Sequence, residues 1–457
     1  MDNKNATENE RKEKLSPFSL TMLALGSIIG AGMFLGSGLT ISAAGPSVLI
    51  AYAIFGILMY FNLSFLAELS LLDPEKGSFQ SYAAKAFGEG AGFVVGWLYW
   101  ISGVLVMASE VTAASIFTTA WFPGIPQWIF VLAFTLALSV VNLFDARGFG
   151  KLESALATVK VIALIGFILT TLILVFTSWL SPAIGWQNLR HTALFPTGLS
   201  GFAGSLLFVF FAYSGTSVVG LAINESDNPN RTVPQVVMAT SGLVTVLYVI
   251  SIALLFFLQP WTAYNASASP FVTALAANRI FAAQNIMNFV ILTAALSAMN
   301  ASMYGVSRML YALSDQGDAP SYFLQRNTNN VPARAVLFSN SFLVGIAIVS
   351  FFIPNKLYLL VTGASGLLSL VNVLTITLAH RKLKPELTPK AEGHVFHAFG
   401  YPVSNIVIAL IFGGIFISAF YIPDQRPSFI IGLGLMILVS LVYYIIYHGK
   451  NIRLMLK

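Results

Sequence analysis

Gly26-Ser27-Ile28-Ile29-Gly30-Ala31-Gly32, continued by Met33-Phe34-Leu35-Gly36-Ser37-Gly38, stands inside an apolar run that extends over 17–43. A plain membrane-crossing helix needs none of these glycines, because glycine lowers the cost of leaving helical geometry. Unwinding at that depth frees backbone N–H and C=O groups, which a bilayer tolerates only around a cavity. A second interruption follows at Phe210-Phe211-Ala212-Tyr213-Ser214-Gly215-Thr216-Ser217. Gly26, Gly30 and Gly215 are therefore expected as helix breaks. Read alone, Gly26/Gly30 and Gly32/Gly36 equally fit small-xxx-small helix packing. The matching interruption in a second apolar segment tips the reading toward a binding site.

The rest of the chain makes membrane depth the right frame. Of 457 residues, 57% are apolar and 9% charged, where soluble domains have roughly 45–50% and about 25%. That is roughly 260 apolar residues, against about 20 per membrane helix. No soluble fold hides that much apolar surface, so a soluble enzyme, a nucleic-acid binder and a disordered chain are excluded. The net charge of +6 and pI near 9.3 follow from inner-loop Lys and Arg and need no nucleic acid partner. The cysteine count of zero removes disulfides, thiol nucleophiles and cysteine metal sites. The polar start, Met1 to Lys14, followed by a long apolar segment, is not expected to be a cleaved signal peptide.

Apolar runs separated by polar or Pro/Gly punctuation predict twelve spans, at 17–43, 46–71, 91–119, 126–144, 154–178, 199–222, 234–258, 283–312, 335–353, 357–380, 401–421 and 427–447. The runs do not alternate as barrel strands would. With both termini cytoplasmic, the inner side, tails included, holds 19 Lys and Arg and the outer side 4, which the positive-inside rule reads as termini inside. The expected organisation is a tail at 1–16, a transporter core at 17–380, a cytoplasmic loop at 381–400, peripheral spans at 401–447 and a tail at 448–457. His380, His394 and His397 cluster around that loop and are read as a solvated face, with no metal. The stretch 259–282 reads as an outer loop with a short helix.

Gly30 and Gly215 lie five spans apart, so the second unit is inverted relative to the first, the pattern of a transporter site. Freed N–H groups at a half-helix start favour a carboxylate, and freed carbonyls favour an ammonium. A site offering both suits an amino acid. At these residues the chain resembles the amino acid permeases of the amino acid–polyamine–organocation superfamily, in the bacterial amino acid transporter branch. The matching stretches include LGSIIGAGMFLGSG at 25–38, DPEKGSFQSYAAKAFGEGAGFVVGWLYW at 73–100, ASEVTAA at 108–114, ALATVKVIAL at 155–164, FFAYSGTSVVGLAINESDNPNRTVPQ at 210–235 and LTAALSAMNASMYGVSRMLYALSDQGDAPSYF at 292–323. The resemblance implies an all-α fold with a five-plus-five inverted repeat, spans 1 and 6 broken and two peripheral spans, as in the neurotransmitter:sodium symporters. It also implies that backbone N–H groups of Ala31, Gly32 and Met33 hold the substrate carboxylate. The ammonium would meet carbonyls around Ser27, Ile28, Phe211 and Ser214, while Tyr213 and Thr216 border the side-chain pocket and Phe211 acts as a gate. Many members carry Glu where this chain has Ser217, a departure that removes a carboxylate near the pocket and points to a neutral amino acid.

Among intramembrane charges, Glu68, Glu153 and Arg308 fall near inner ends, where solvation is cheap. Glu110 and Lys160 are deeper. Each costs about 2.5–3.5 kcal/mol or more against lipid, so each must face a cavity or a partner. A Glu110–Lys160 pair is one solution. By resemblance, Lys160 occupies the place where sodium-driven relatives bind sodium, so it is the expected proton-coupling residue, with Glu110 next; a fixed structural cation is the other reading. The leading expectation is a secondary active transporter of the cytoplasmic membrane that imports an amino acid with a proton by alternating access. It has no cofactor beyond the proton gradient, lipids and substrate as partners, and a monomeric or weakly oligomeric state. An exchanger without ion coupling and a transport-inactive amino acid sensor are the alternatives. An enzyme is not expected, since no HExxH, GxSxG or phosphate-loop motif occurs, and no nucleotide domain fits in the loops.

Overall fold

A computed structural model describes residues 17–73, 79–144, 149–177, 185–190, 192–215, 229–329, 331–388 and 396–455. Every regular element among them is helical. In chain order these are α1 (Pro17–Ile28), α2 (Ala31–Phe34), α3 (Gly36–Ala44), α4 (Val48–Leu72), α5 (Phe79–Phe87), α6 (Glu89–Thr119), α7 (Gln127–Phe144), α8 (Phe149–Thr177) and α9 (Gln187–Arg190). They continue with α10 (Gly198–Ala212), α11 (Pro229–Leu258), α12 (Pro270–Ala277), α13 (Phe281–Asp315), α14 (Ala333–Phe352), α15 (Pro354–Leu387), α16 (Val403–Tyr421) and α17 (Arg426–Met455).

Among the described residues, nine stretches are long and apolar enough to cross a membrane, and α1, α7 and α10 are shorter apolar helices. With α1–α3 taken as one interrupted segment and α4 as the next, the described helices form twelve apolar segments, matching the twelve runs expected from the sequence. The outward faces stay apolar: Leu169, Ile173, Phe352, Leu410 and Ile445 are all more than half exposed. That is the surface a helix shows to lipid, where its backbone polar groups are satisfied internally.

Inside, small residues let helices approach. A methyl at Gly56 of α4 would collide with Thr245 of α11, and one at Gly103 of α6 with Val306 of α13. Many buried hydroxyls bond along their own helix, as Thr112 donates to the Ala108 carbonyl at 2.6 Å. Amide bridges fix the scaffold: Asn142 of α7 to Asn300 of α13 at 2.6 Å, and Asn340 of α14 to Ser139 of α7 at 2.6 Å.

Four boundaries differ from the apolar pattern, the last being that α17 runs on to Met455, past the expected end of span 12 at 447. The helix of span 6 ends at Ala212, well before 222, and 216–228 lie outside the described residues. Span 10 continues to Leu387, because Arg381, Lys382 and Lys384 are good helix formers that an apolar count discards. The expected loop 72–90 contains the amphipathic α5, whose Tyr82 is buried; burial pushes its phenol up to about 12.

Candidate functional site

The first crossing is broken at Gly30, whereas Gly26, also expected as a break, stays helical within α1. Helix α1 stops at Ile28, Gly30 is extended, and helical geometry resumes at Ala31. Side chains from four other helices gather on the backbone at this break. The Ala31 N–H donates to both oxygens of Glu110 (α6), at 2.9 and 3.2 Å. Lys160 (α8) donates to the Gly26 carbonyl at 2.6 Å. Tyr248 (α11) donates to the Ile28 carbonyl at 3.3 Å, and Tyr358 (α15) to the Ala31 carbonyl at 3.2 Å. A buried backbone group without a partner costs about as much as a lost hydrogen bond, so this ring of partners is what makes the break affordable.

The second break meets the first. Helix α10 ends in a turn, with Tyr213 N–H donating to Phe210 and Ser214 N–H to Phe211. Gly215 follows at φ +101°, where a methyl would run into the Ser27 carbonyl. The Ser27 hydroxyl donates to the Gly215 carbonyl at 3.1 Å, and Tyr248 also reaches the Ala212 carbonyl at 3.2 Å. One tyrosine thus bridges the ends of both broken helices. Tyr213 donates to the Tyr52 carbonyl at 2.8 Å, and the rings of Tyr52, Tyr213 and Tyr248 lie 5.1 to 6.1 Å apart.

A cavity opens beside this junction. Its wall includes Tyr213, Ser214 and Gly215, with Asn62 (α4), Tyr99 and Ser102 (α6), Ser302 (α13) and Asn372 (α15), closed by Phe55, Phe79, Phe210 and Phe412. These positions lie in the halves of α4, α6, α13 and α15 nearest the end of the bundle where Pro17 sits. The opposite end is covered. There Phe271 of α12 packs on Phe34 and Phe167 at 5.4 and 4.8 Å, and the carbonyls of Asn265 and Ala268 lie against Gly38. The expected outer loop with a short helix is this cover.

Of the residues expected at the site, Tyr213, Ser214 and Gly215 border the cavity. Ser27, Ile28, Ala31, Gly32 and Met33 form the break behind it. The Phe211 ring is stacked on Gly32, and the Met33 N–H already donates to the Gly30 carbonyl at 3.2 Å. Thr216 and Ser217 lie outside the described residues. Asn62 and Asn372 carry a signal that was available in the sequence, since a polar amide inside an apolar span faces a cavity or partner. Tyr248 and Tyr358 carry none beyond the rule that a buried hydroxyl seeks an acceptor.

Two expectations about charges are corrected. Glu153 is not solvated at an inner end: it is fully buried, accepts the Ser297 hydroxyl at 2.6 Å and stands 3.8 Å from Lys160. The Lys160 partner is therefore Glu153, seven residues back and so on the same helix face, while Glu110 is held by Ala31. Glu68 and the histidines are not a solvated face either. Fully buried Glu68 accepts from His380 at 2.9 Å, Lys384 at 2.8 Å, His397 at 2.9 Å and the Ala398 N–H at 2.8 Å. The Asn405 amide N–H₂ faces both the Thr377 carbonyl and His380 Nδ1, each at 3.0 Å. His380 Nδ1 is therefore the acceptor and its Nε2–H donates to Glu68. This knot ties α4 to α15 and to the segment before α16; His394 lies outside the described residues. No group of side chains among those described could hold a metal ion.

A sequence model of the family described as amino acid permease matches residues 19–454. A gamma-aminobutyric acid permease of Bacillus subtilis (strain 168) is 32% identical over 98% of this chain and 96% of its own length. An aromatic amino acid transport protein, AroP of Corynebacterium glutamicum, is 37% identical over 87% of each. A probable threonine/serine transporter of Bacillus subtilis, YbxG, is 31% identical over 97% of this chain and 96% of its own. Among solved structures, a mutant manganese transporter of Eremococcus coleocola superposes with a TM-score of 0.61 over 94% of both chains at 15% identity, a likeness of fold.

Proposed function

The chain belongs to the amino acid permease family and is a membrane transporter rather than an enzyme; from that premise we propose that it imports a neutral amino acid with a proton by alternating access. The observation that carries this reading is the meeting of two broken helices, at Ser27 and Gly215, beside a cavity with no charged side chain among its described lining residues. A cationic or anionic substrate side chain would need a buried countercharge there. Amides, hydroxyls and aromatic rings suit a neutral side chain of medium or large apolar size, and the similarity to an aromatic amino acid transport protein points the same way.

We read the Pro17 end as cytoplasmic, from the excess of Lys and Arg in the loops on that side. The cavity then faces the cytoplasm while Phe271 and its neighbours close the outside. In the proposed cycle the substrate carboxylate takes the Ala31 N–H in place of Glu110. A protonated Lys160 ties α8 to the Gly26 carbonyl and holds α1 in its binding shape. Loss of that proton frees α8 to move. Proton and substrate are coupled because both favour one arrangement of the first crossing.

Purified protein in liposomes tests the proposal. Neutral amino acids should accumulate under an inward proton gradient, with acidification of the vesicle interior, and Lys160→Ala should abolish both. Exchange of internal for external substrate without any proton movement would instead make the protein an exchanger. Tight binding of lysine or arginine with no competition from neutral amino acids would overturn the substrate class.

A further inference from the structure

We propose that Glu153 positions the Lys160 ammonium and receives its proton on the way to the cytoplasm, an inference that rests on the proton-coupled reading of Lys160. The two side chains are fully buried and lie two turns apart on α8. Glu153 stands in the first turns after Phe149, so it lies between Lys160 and the Pro17 end of the bundle. Its Oε1 is 3.8 Å from the Lys160 Nζ and accepts the Ser297 hydroxyl at 2.6 Å. That oxygen also abuts Gly26, where a methyl would collide with it. The carboxylate is thus clamped between α1, α8 and α13, at the residue whose carbonyl holds Lys160.

A counterion needs no more than this, yet the other oxygen is unlike a counterion's. Glu153 Oε2 is buried and makes no hydrogen bond among the described residues. It is the oxygen on which a proton can sit without breaking a contact. The groups that face Lys160 leave no better acceptor. Helix α1 presents the Gly26 carbonyl and α13 presents Ser297, bound to Glu153. Glu110 on α6 also acts on Lys160 through its charge, but both its oxygens are held by the Ala31 N–H.

The step balances within the pair. Once the Gly26 carbonyl releases Lys160 and its side chain swings toward Oε2 of Glu153, to about 2.8 Å, a charge-assisted hydrogen-bond length, the Lys160 N–H bond breaks and an O–H bond forms on that oxygen. Ammonium becomes amine, carboxylate becomes carboxylic acid, and the pair is neutral before and after. The acid then gives its proton to water at the cytoplasmic end of α8, and Ser297 holds the carboxylate that returns.

The test uses the whole purified chain in liposomes, with a radiolabelled mixture of the common amino acids as the probe. Two readouts are compared: counterflow, which needs no net proton movement, and uphill uptake with interior acidification. Glu153→Gln is expected to keep counterflow while losing about a hundredfold in proton-driven uptake, with Glu153→Asp partly restoring it. A Glu153→Gln protein that concentrates substrate and acidifies the interior like the wild type, while Lys160→Ala does not, overturns this inference and leaves Lys160 standing. A wild-type protein that moves no protons removes the parent reading and the inference together. Should Glu153→Gln fail to fold, Ser297→Ala decides. It removes one hydroxyl from Oε1, and the ratio of uphill uptake to counterflow should fall about tenfold; an unchanged ratio overturns the proposal.

Discussion

Glu110 grips the backbone N–H of Ala31 with both carboxylate oxygens, at 2.9 and 3.2 Å. A carboxylate from α6 thus occupies the donor at which a substrate carboxylate would bind. Gly30 makes the grip possible, since a methyl there would collide with a Glu110 oxygen. In the proposed cycle, substrate binding at Ala31 is an exchange of one carboxylate for another.

Glu110→Ala leaves the Ala31 N–H buried without that acceptor. The ligand-free protein should lose about 1–3 kcal/mol, and substrate should raise the melting temperature of the variant by more than it raises that of the wild type. Thermal shift with and without substrate measures both. A smaller substrate-induced shift in the variant would mean that Glu110 does not compete for this donor.

Tyr248→Phe removes the single hydroxyl that serves Ile28 and Ala212. The two carbonyls lose their shared donor, so stability should fall by about 1–3 kcal/mol, and transport should fall more than it does for Tyr264→Phe in the outer loop. Uptake rates normalised to folded protein provide the comparison.

Glu68→Gln should destabilise the protein by about 1.5–3 kcal/mol, the range for a hydrogen bond to a charged group, because Lys384 loses its carboxylate and two histidines lose an ionic acceptor. His397→Gln should cost less, since that ring is half exposed while His380 is buried. Denaturation midpoints in detergent rank the two variants.

The natural chain has no cysteine, so single replacements report accessibility directly. Ser302→Cys and Asn372→Cys line the cavity and should react with a membrane-impermeant thiol reagent from the cytoplasmic face alone, with protection by substrate. Phe271→Cys, under the outer cover, should be the slowest of the three from either face. Labelling of Ser302→Cys from the outside only would reverse the orientation.

The sequence by itself determined the membrane class, the twelve crossings and the position of the first break. Those properties are local. An apolar run of about 20 residues must cross, and Gly26 and Gly30 weaken helix geometry wherever the chain places them. The depth of Lys160 and Glu110 was legible for the same reason, by counting residues from a loop. What tertiary structure alone decided was partnership. Glu153 was legible as a charge near a helix end, but only the approach of Gly26 and Ser297 shows it buried beside Lys160. His380 and His397 read as loop residues until α15, running on to Leu387, carries His380 and Lys384 against Glu68. Tyr248 and Tyr358 are ordinary apolar-span tyrosines until packing brings them to the carbonyls on either side of the break in the first crossing. Hydrogen bonds across 79 to 327 residues of chain leave no trace in local periodicity, because which helix faces which is set by packing of the whole bundle.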